Sequence, residues 1–266
     1  MKNMRLTVCI GIMCGWLAAG MLHAGTRPDH VRPVEEDGSR LWLPVIRPVE
    51  GAEVEITYKG KVSPTIAIAI AELKNAWKGE PVLLEKKRTG QGDGFAITSS
   101  EHQGRILSST ETGLLYGAYS LLRMQAAGQL TVPLSVTEQP AYDLRILNHW
   151  DNPDGTVERG YAGRSLWNWE ELPGTLSPRY EAYARANASV GINGTVLNNV
   201  NASPQVLTTG SLEKVKALAD VFRPYGIKVY LSVNFASPIR LGKLDTADPL
   251  DKEVIGWWKQ KVKEIY

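Results

Sequence analysis

Cysteine is almost missing from this chain of 266 residues: the two present, Cys9 and Cys14, both lie in the first 24. Without that stretch the protein has no disulfide, no thiolate nucleophile and no cysteine metal site. An apolar core must then hold the fold by itself, which a chain of this length can build. Net charge is scarce too. The formal value is +2, and Lys2 and Arg5 account for all of it. That leaves no excess of positive charge to attract a nucleic acid backbone. Motifs of several reaction classes are also lacking. There is no HExxH, no GxSxG and no carboxylate-rich metal loop, so no zinc peptidase, serine hydrolase or calcium-loop signature is present. What is there is a globular composition, 43% hydrophobic and 22% charged.

One long apolar run exists, Leu6 to Leu22, behind the basic start Lys2 and Arg5 and ahead of His23-Ala24. A basic head, an apolar middle and a small residue at the end are the parts of a secretory signal over residues 1–24. The competing reading is a membrane anchor. Gly11, Gly15 and Gly20 interrupt the run, and it is barely long enough to span a bilayer. Export to the periplasm or the extracellular space is expected, with no stable membrane insertion once the signal is cleaved.

From residue 25 to about 140 the pattern is that of a small α/β domain. Ala52 to Tyr58 alternates with the period of a half-buried strand. Ser63-Pro64 supplies a cap and a first-turn proline for a helix carrying Ile66, Ile70, Leu73 and Trp77. Phe95–Thr98 and Arg105–Ser108 predict two short strands around a turn. Thr110 predicts the cap of a second helix over Glu111–Ala127, with Gly128 ending it. Gly90-Gln91-Gly92-Asp93-Gly94 invites comparison with a phosphate loop. That motif needs a strand before it and a helix directly after it. Here the basic, polar stretch Glu85–Thr89 precedes it and a strand follows, which points to a surface loop.

Past residue 140 strands and helices alternate. Arg145–His149, Gly194–Leu197 and Ile227–Val233 predict strands. Ser177-Pro178, Ser211 and Asp251 predict helix starts. Repeated βα units imply parallel strands with right-handed crossovers, in a doubly wound sheet or an eight-stranded barrel. Two observations favour the barrel. The strands end in Asn or His with an aromatic nearby, where barrel enzymes carry their binding groups, and no glycine-rich nucleotide loop follows the first strand. The expected architecture is therefore α/β: residues 25–140 as a small N-terminal domain, then residues 141–266 as the first three βα units of a TIM (β/α)8 barrel, truncated before it closes.

Asn148-His149-Trp150-Asp151-Asn152 gathers side chains suited to a sugar. An indole packs on the apolar face of a pyranose, and Asn, Asp and His bond its hydroxyls. The alternative is a satisfied strand end, with His149 on a carbonyl and Asp151 capping a turn. The following loop, Asp154 to Trp169, is long and aromatic, and long loops in compact domains tend to be functional. Within it Glu158 and Arg159 either bind substrate or brace the loop. Glycoside hydrolysis needs two carboxyl groups flanking one bond, and residues 140–266 offer no convincing pair. Asp151 and Glu158 are candidates by location alone, Glu170 and Glu171 would point apart, and His149 is a candidate base.

Tyr142 to Asn152, Val157-Glu158-Arg159-Gly160-Tyr161-Ala162-Gly163-Arg164-Ser165, and Gly191–Gly194 with Asn198-Asn199-Val200 resemble the glycoside hydrolase family 67 α-glucuronidases. Thr112 to Tyr119 is similar to the domain preceding their barrel, a domain that β-hexosaminidases share. The resemblance implies inverting hydrolysis of the α-1,2 bond between glucuronic acid, or its 4-O-methyl ether, and xylose in xylooligosaccharides, with no metal or organic cofactor. It implies that Trp150 and Val200 line the uronic acid pocket. His149, Asp151 and Asn199 join them as substrate-binding candidates by their chemistry and their place at the strand ends. It places the catalytic carboxylates further along the barrel, so that this fragment would be inactive and a homodimer would belong to the full-length protein alone. A β-N-acetylhexosaminidase-like barrel and a non-catalytic carbohydrate-binding relative are the alternatives.

Overall fold

The computed structural model describes residues 54–265, apart from Gln91, Val132 and Ala202. The expected signal over residues 1–24 and the start of the first strand at Ala52 lie outside the described residues. Two sheets are present. A five-stranded mixed sheet holds β1 (Ile56–Lys59), β2 (Val82–Lys86), β3 (Phe95–Ser99), β4 (Gly104–Ser108) and β5 (Leu134–Glu138) in the order β1-β2-β4-β3-β5. β1, β2 and β4 run parallel, and β3 is antiparallel to both of its neighbours. A three-stranded parallel sheet holds β6 (Ile146–Asn148), β7 (Gly194–Val196) and β8 (Lys228–Tyr230) in sequence order. The architecture is thus α/β, with a mixed sheet followed by successive parallel βα units.

The helix signals act as the sequence dictates. Helix α1 (Pro64–Ala76) starts behind Ser63, whose Oγ accepts from the Ile66 N–H, and it buries Ile66, Ala69, Leu73 and Ala76. Helix α2 (Glu111–Ala126) starts behind Thr110, whose Oγ1 accepts from the Gly113 N–H at 2.9 Å. Ten consecutive residues of α2, Gly113 to Leu122, are buried, so it is covered on all sides and not merely along one stripe. Its glycines let it lie close to the sheet. A Cβ at Gly117 would stand 2.5 Å from Ile106 Cγ2, and one at Gly113 would meet the Ser108 side chain and the Asp93 carbonyl. The Gly113–Gly117 spacing thus puts both glycines on the face turned toward β4.

Helix α3 (Pro178–Ser189) is capped by Ser177, and α6 (Lys252–Ile265) by Asp251, whose Oδ1 accepts from Glu253 and Val254 N–H groups. Between them lie α4 (Thr209–Phe222) and the short α5 (Ser237–Arg240). Of the three predicted helix starts past residue 140, those at Ser177 and Asp251 hold, but Ser211 does not cap α4. That helix begins three residues earlier, at Thr209, because a 3-10 turn over Pro204–Leu207 feeds straight into it with Thr208 between. A second correction concerns β2. A strand does precede the glycine-rich cluster, since Val82, Leu83 and Leu84 are all buried. A strand covered on both faces shows no alternation to read. The segment after the cluster is β3 and not a helix, so the phosphate-loop reading still fails.

One contiguous core joins both sheets, running from Ile66, Leu73 and Ile106 through Leu114 and Tyr119 to Trp167, Tyr180 and Phe222. Polar links cross the same boundary. Arg185 on α3 makes a two-pronged pair with Glu72 on α1 at 2.6 and 2.8 Å, and Tyr119 donates to the same carboxylate. Burial, then the neighbouring Glu72 charge, pushes the Tyr119 phenol upward, so it remains a donor. Among the described residues, no helix is long and apolar enough to cross a membrane.

The close approach of α2 to β4 makes a direct prediction. Helix propensity favours Gly117→Ala by about 1 kcal/mol. Overpacking against Ile106 costs about 1–3 kcal/mol and wins, so the variant unfolds at lower urea. A midpoint equal to or above that of the parent would show that the helix can move off the sheet.

Candidate functional site

The three parallel strands end together, and their C-terminal ends carry the candidate residues. β6 leads into His149, Trp150 and Asp151, β7 into Leu197, Asn198, Asn199 and Val200, and β8 into Leu231 and Ser232. The ladder extends past the regular strands. His149 N–H donates to the Val196 carbonyl, and Asn199 N–H donates to the Asp151 carbonyl at 2.9 Å. Asn198 fills the next rung with its side chain, giving Nδ2 to the Ser232 carbonyl and taking the Ser232 N–H on Oδ1.

The candidate residues divide by exposure. Trp150 and Val200 stand open, at 36% and 44%. Asp151 and Asn199 are buried, at 4% and 3%. The Asp151 carboxylate accepts from Ser165 Oγ at 2.6 Å and from the Leu166 N–H at 2.8 Å. It therefore fastens the far end of the long loop to the end of β6. Asn199 Nδ2 donates to the Glu158 carbonyl at 3.0 Å, and its Oδ1 accepts from the Asn201 N–H. Asn152 Nδ2 donates to that same Glu158 carbonyl at 2.8 Å. Glu158 in turn gives its N–H to the Trp150 carbonyl. The loop thus folds back over the strand ends and braces the backbone that carries Trp150.

His149 is largely buried and edges against Trp167 at 5.5 Å between ring centroids. Its Nε2 lies 2.7 Å from Tyr183 Oη, which lies 3.0 Å from Thr195 Oγ1. Burial lowers the imidazole pKa below 6.5, opposed by the Asp151 charge. Burial pushes the Tyr183 phenol up to about 12, so it keeps its proton. Neutral His149 is the form this site holds. Tyr183, the partner of His149, sits on α3, and Thr195, the partner of Tyr183, sits on β7; they lie 34 and 46 residues from His149, and no sequence spacing marks them.

The loop's aromatics are not a sugar-facing set. Trp167 is buried at 1% and Trp169 at 7%. Trp167 packs against Tyr180, Tyr183 and Phe222, and its Nε1 donates to the Leu197 carbonyl at 3.1 Å. These rings anchor the loop from beneath, while Tyr161 remains exposed. Glu158 meets Tyr161 Oη at 3.3 Å and does not pair with its neighbour Arg159, which is exposed. Among the described residues no group of three or more His, Asp or Glu is placed to hold a metal ion. A separate groove of about 340 Å³ lies at the opposite end of the strands, lined by Asp93, Asp143, Arg145, Asn193 and Lys228.

The family model of the glycosyl hydrolase family 67 middle domain matches residues 124–266. This chain belongs to glycosyl hydrolase family 67. Similar proteins include the probable α-glucuronidase A of Aspergillus clavatus, 44% identical over 175 residues, and that of Neosartorya fischeri, 45% identical over the same length. α-Glucuronidase A of Emericella nidulans is 41% identical over 179 residues. Each alignment covers 65% of this chain and 21% of the relative, so the chain spans about a fifth of those proteins. Two solved structures share the fold. A GH138 enzyme targeting pectin rhamnogalacturonan II gives a TM-score of 0.55 at 16% identity, covering 79% of this chain and 29% of its own. A GH115 4-O-methyl-α-glucuronidase with specificity for decorated arabinogalactans gives 0.51 at 14% identity, covering 84% and 34%.

The depressed imidazole sets a pH dependence in this family 67 segment. Between the lowered folded value and 6.5, the unfolded chain binds the proton that the folded one refuses. Stability is therefore full above 6.5 and falls as pH drops below it. Urea midpoints measured from roughly pH 7.5 down to roughly pH 5 should decline, and His149→Gln should flatten that slope. An unchanged slope in the variant would assign the proton uptake elsewhere.

Proposed function

We propose that the protein carrying this segment is an exported α-glucuronidase acting on xylan-derived oligosaccharides. It would release glucuronic acid or its 4-O-methyl ether from an α-1,2 linkage to xylose. Supporting this are membership of family 67 and the 41–45% identity to proteins named α-glucuronidase A. The observation that carries it onto particular residues is the pairing of an exposed Trp150 with an exposed Val200 at adjacent strand ends. An indole face and a branched aliphatic group give a sugar ring apolar contact, and the surrounding amide and imidazole groups are already bonded and held still.

In this reading the three parallel units belong to a (β/α)8 barrel, with the site at the C-terminal ends of its strands. Hydrolysis with inversion needs an acid and a base about 6.5–9.5 Å apart. Asp151 is not such a group, because its carboxylate is buried on Ser165 and Leu166. The acid, the base and the cations that would receive the uronate are assigned to parts of the protein beyond the described residues. Of the alternative activities, β-N-acetylhexosaminidase has support from fold alone: one such enzyme from Bacteroides fragilis gives a TM-score of 0.50 at 12% identity.

The test is turnover. The intact protein should release uronic acid from aldouronic acids and leave N-acetylhexosaminides untouched. Trp150→Ala should lower kcat/KM by about 10–100-fold, the loss of one aromatic wall, on the order of 1.4–2.8 kcal/mol of binding. Parent activity on N-acetylhexosaminides, or a Trp150→Ala enzyme with undiminished kcat/KM, would overturn the assignment.

A further inference from the structure

Glu158 has a backbone that its side chain does not favour. Its φ is +60°, and Lys243 is the other non-glycine residue with positive φ among the described residues. Glycine would take this conformation without steric cost. A glutamate contributes nothing to the turn itself, so what it adds is its carboxylate. Conformations of this kind persist where surrounding bonds enforce them, and they gather at functional sites.

The enforcement is visible. The Glu158 carbonyl receives two amide donors, Asn152 Nδ2 at 2.8 Å and Asn199 Nδ2 at 3.0 Å. These come from the ends of two neighbouring strands. Glu158 N–H is held by the Trp150 carbonyl at 2.8 Å. Every polar atom of the Glu158 backbone is therefore tied to the strand ends that carry Trp150 and Val200. The side chain is tied far less. One carboxylate oxygen meets the Tyr161 hydroxyl at 3.3 Å, and no ion pair within the described residues engages it. A carboxylate with spare acceptor capacity is suited to sugar hydroxyls, from whose O–H groups it can accept.

We infer that Asn152 and Asn199 are positioning residues that clamp the Glu158 carbonyl, so that the Glu158 carboxylate accepts hydrogen bonds from hydroxyl groups of the bound saccharide. The inference rests on the function proposed above. Like charge excludes the uronate carboxylate itself as the partner, so the hydroxyls lie on the ring or on the adjoining sugar. Asn199, though at the pocket by sequence, then acts through Glu158 and does not touch the sugar.

Steady-state kinetics of the intact protein on aldouronic acids test this with Glu158→Gln, Glu158→Gly, Asn199→Asp and the Glu158→Gly/Asn199→Asp double variant. Asn199→Asp keeps the oxygen that receives the Asn201 N–H and replaces the donor to Glu158 with a second oxygen. Glu158→Gly and Glu158→Gln should each lower kcat/KM by about tenfold or more, with Glu158→Gly unfolding no earlier than the parent. Asn199→Asp should also lower kcat/KM, and the double variant should be no worse than Glu158→Gly, because the clamp then has no carboxylate to present. Parent-like kcat/KM in Glu158→Gly and Glu158→Gln, or losses that multiply in the double variant, would overturn the clamp. Should Asn199→Asp fail to fold, the two Glu158 variants decide the matter alone. A parent protein inert on aldouronic acids would overturn the functional reading and this inference with it. An active parent with unaffected Glu158 variants would overturn this inference only.

Discussion

The buried Asp151 carboxylate is the constraint on which the candidate face depends. A carboxylate at 4% exposure is costly unless it is bonded, and its bonds to Ser165 and Leu166 meet that need. The same bonds close the loop that begins at Asn152. Once closed, the loop places Trp167 in the core beneath His149 and brings Glu158 back over Trp150. Removing the carboxylate would free the Ser165–Leu166 end of the loop and leave the Glu158 contacts alone to hold it over Trp150.

A second layer of support comes from the mixed sheet. Helix α2 packs on the mixed sheet and also touches α3, and its two close-packed glycines set how near it lies to β4. The Arg185–Glu72 pair, with Tyr119 on the same carboxylate, ties α3 to α1. Tyr225 adds a bond to Glu181 on α3, and burial then Glu181 raises its phenol so that it stays protonated. The strand ends are thus mounted on a rigid base. This is the arrangement that precise placement of a sugar requires.

Much of this was legible in the chain because the signals are local. Ser63-Pro64, Thr110 and Ser177-Pro178 each state a helix start in two or three residues, and each acts as it reads. The β6, β7 and β8 strands announce themselves by short apolar runs ending in asparagine or histidine. What was not legible has physical reasons. β2 is buried on both faces and shows no alternation. α4 starts early because a 3-10 turn, not the best capping residue, decides its first turn. The aromatic loop looked like a binding surface, yet Trp167 and Trp169 face the core, since composition does not tell which side of a loop is wet. The Asn152–Glu158–Asn199 clamp meets on a backbone carbonyl, which no residue type advertises.

We propose that the saccharide binds at the C-terminal ends of β6 and β7, against Trp150 and Val200. The most direct test is a crystal structure of the intact protein with bound glucuronic acid. The account predicts a sugar ring within about 4 Å of the Trp150 indole and the Val200 methyls, in van der Waals contact. A sugar bound instead in the groove lined by Arg145 and Lys228, at the other end of the strands, would contradict it.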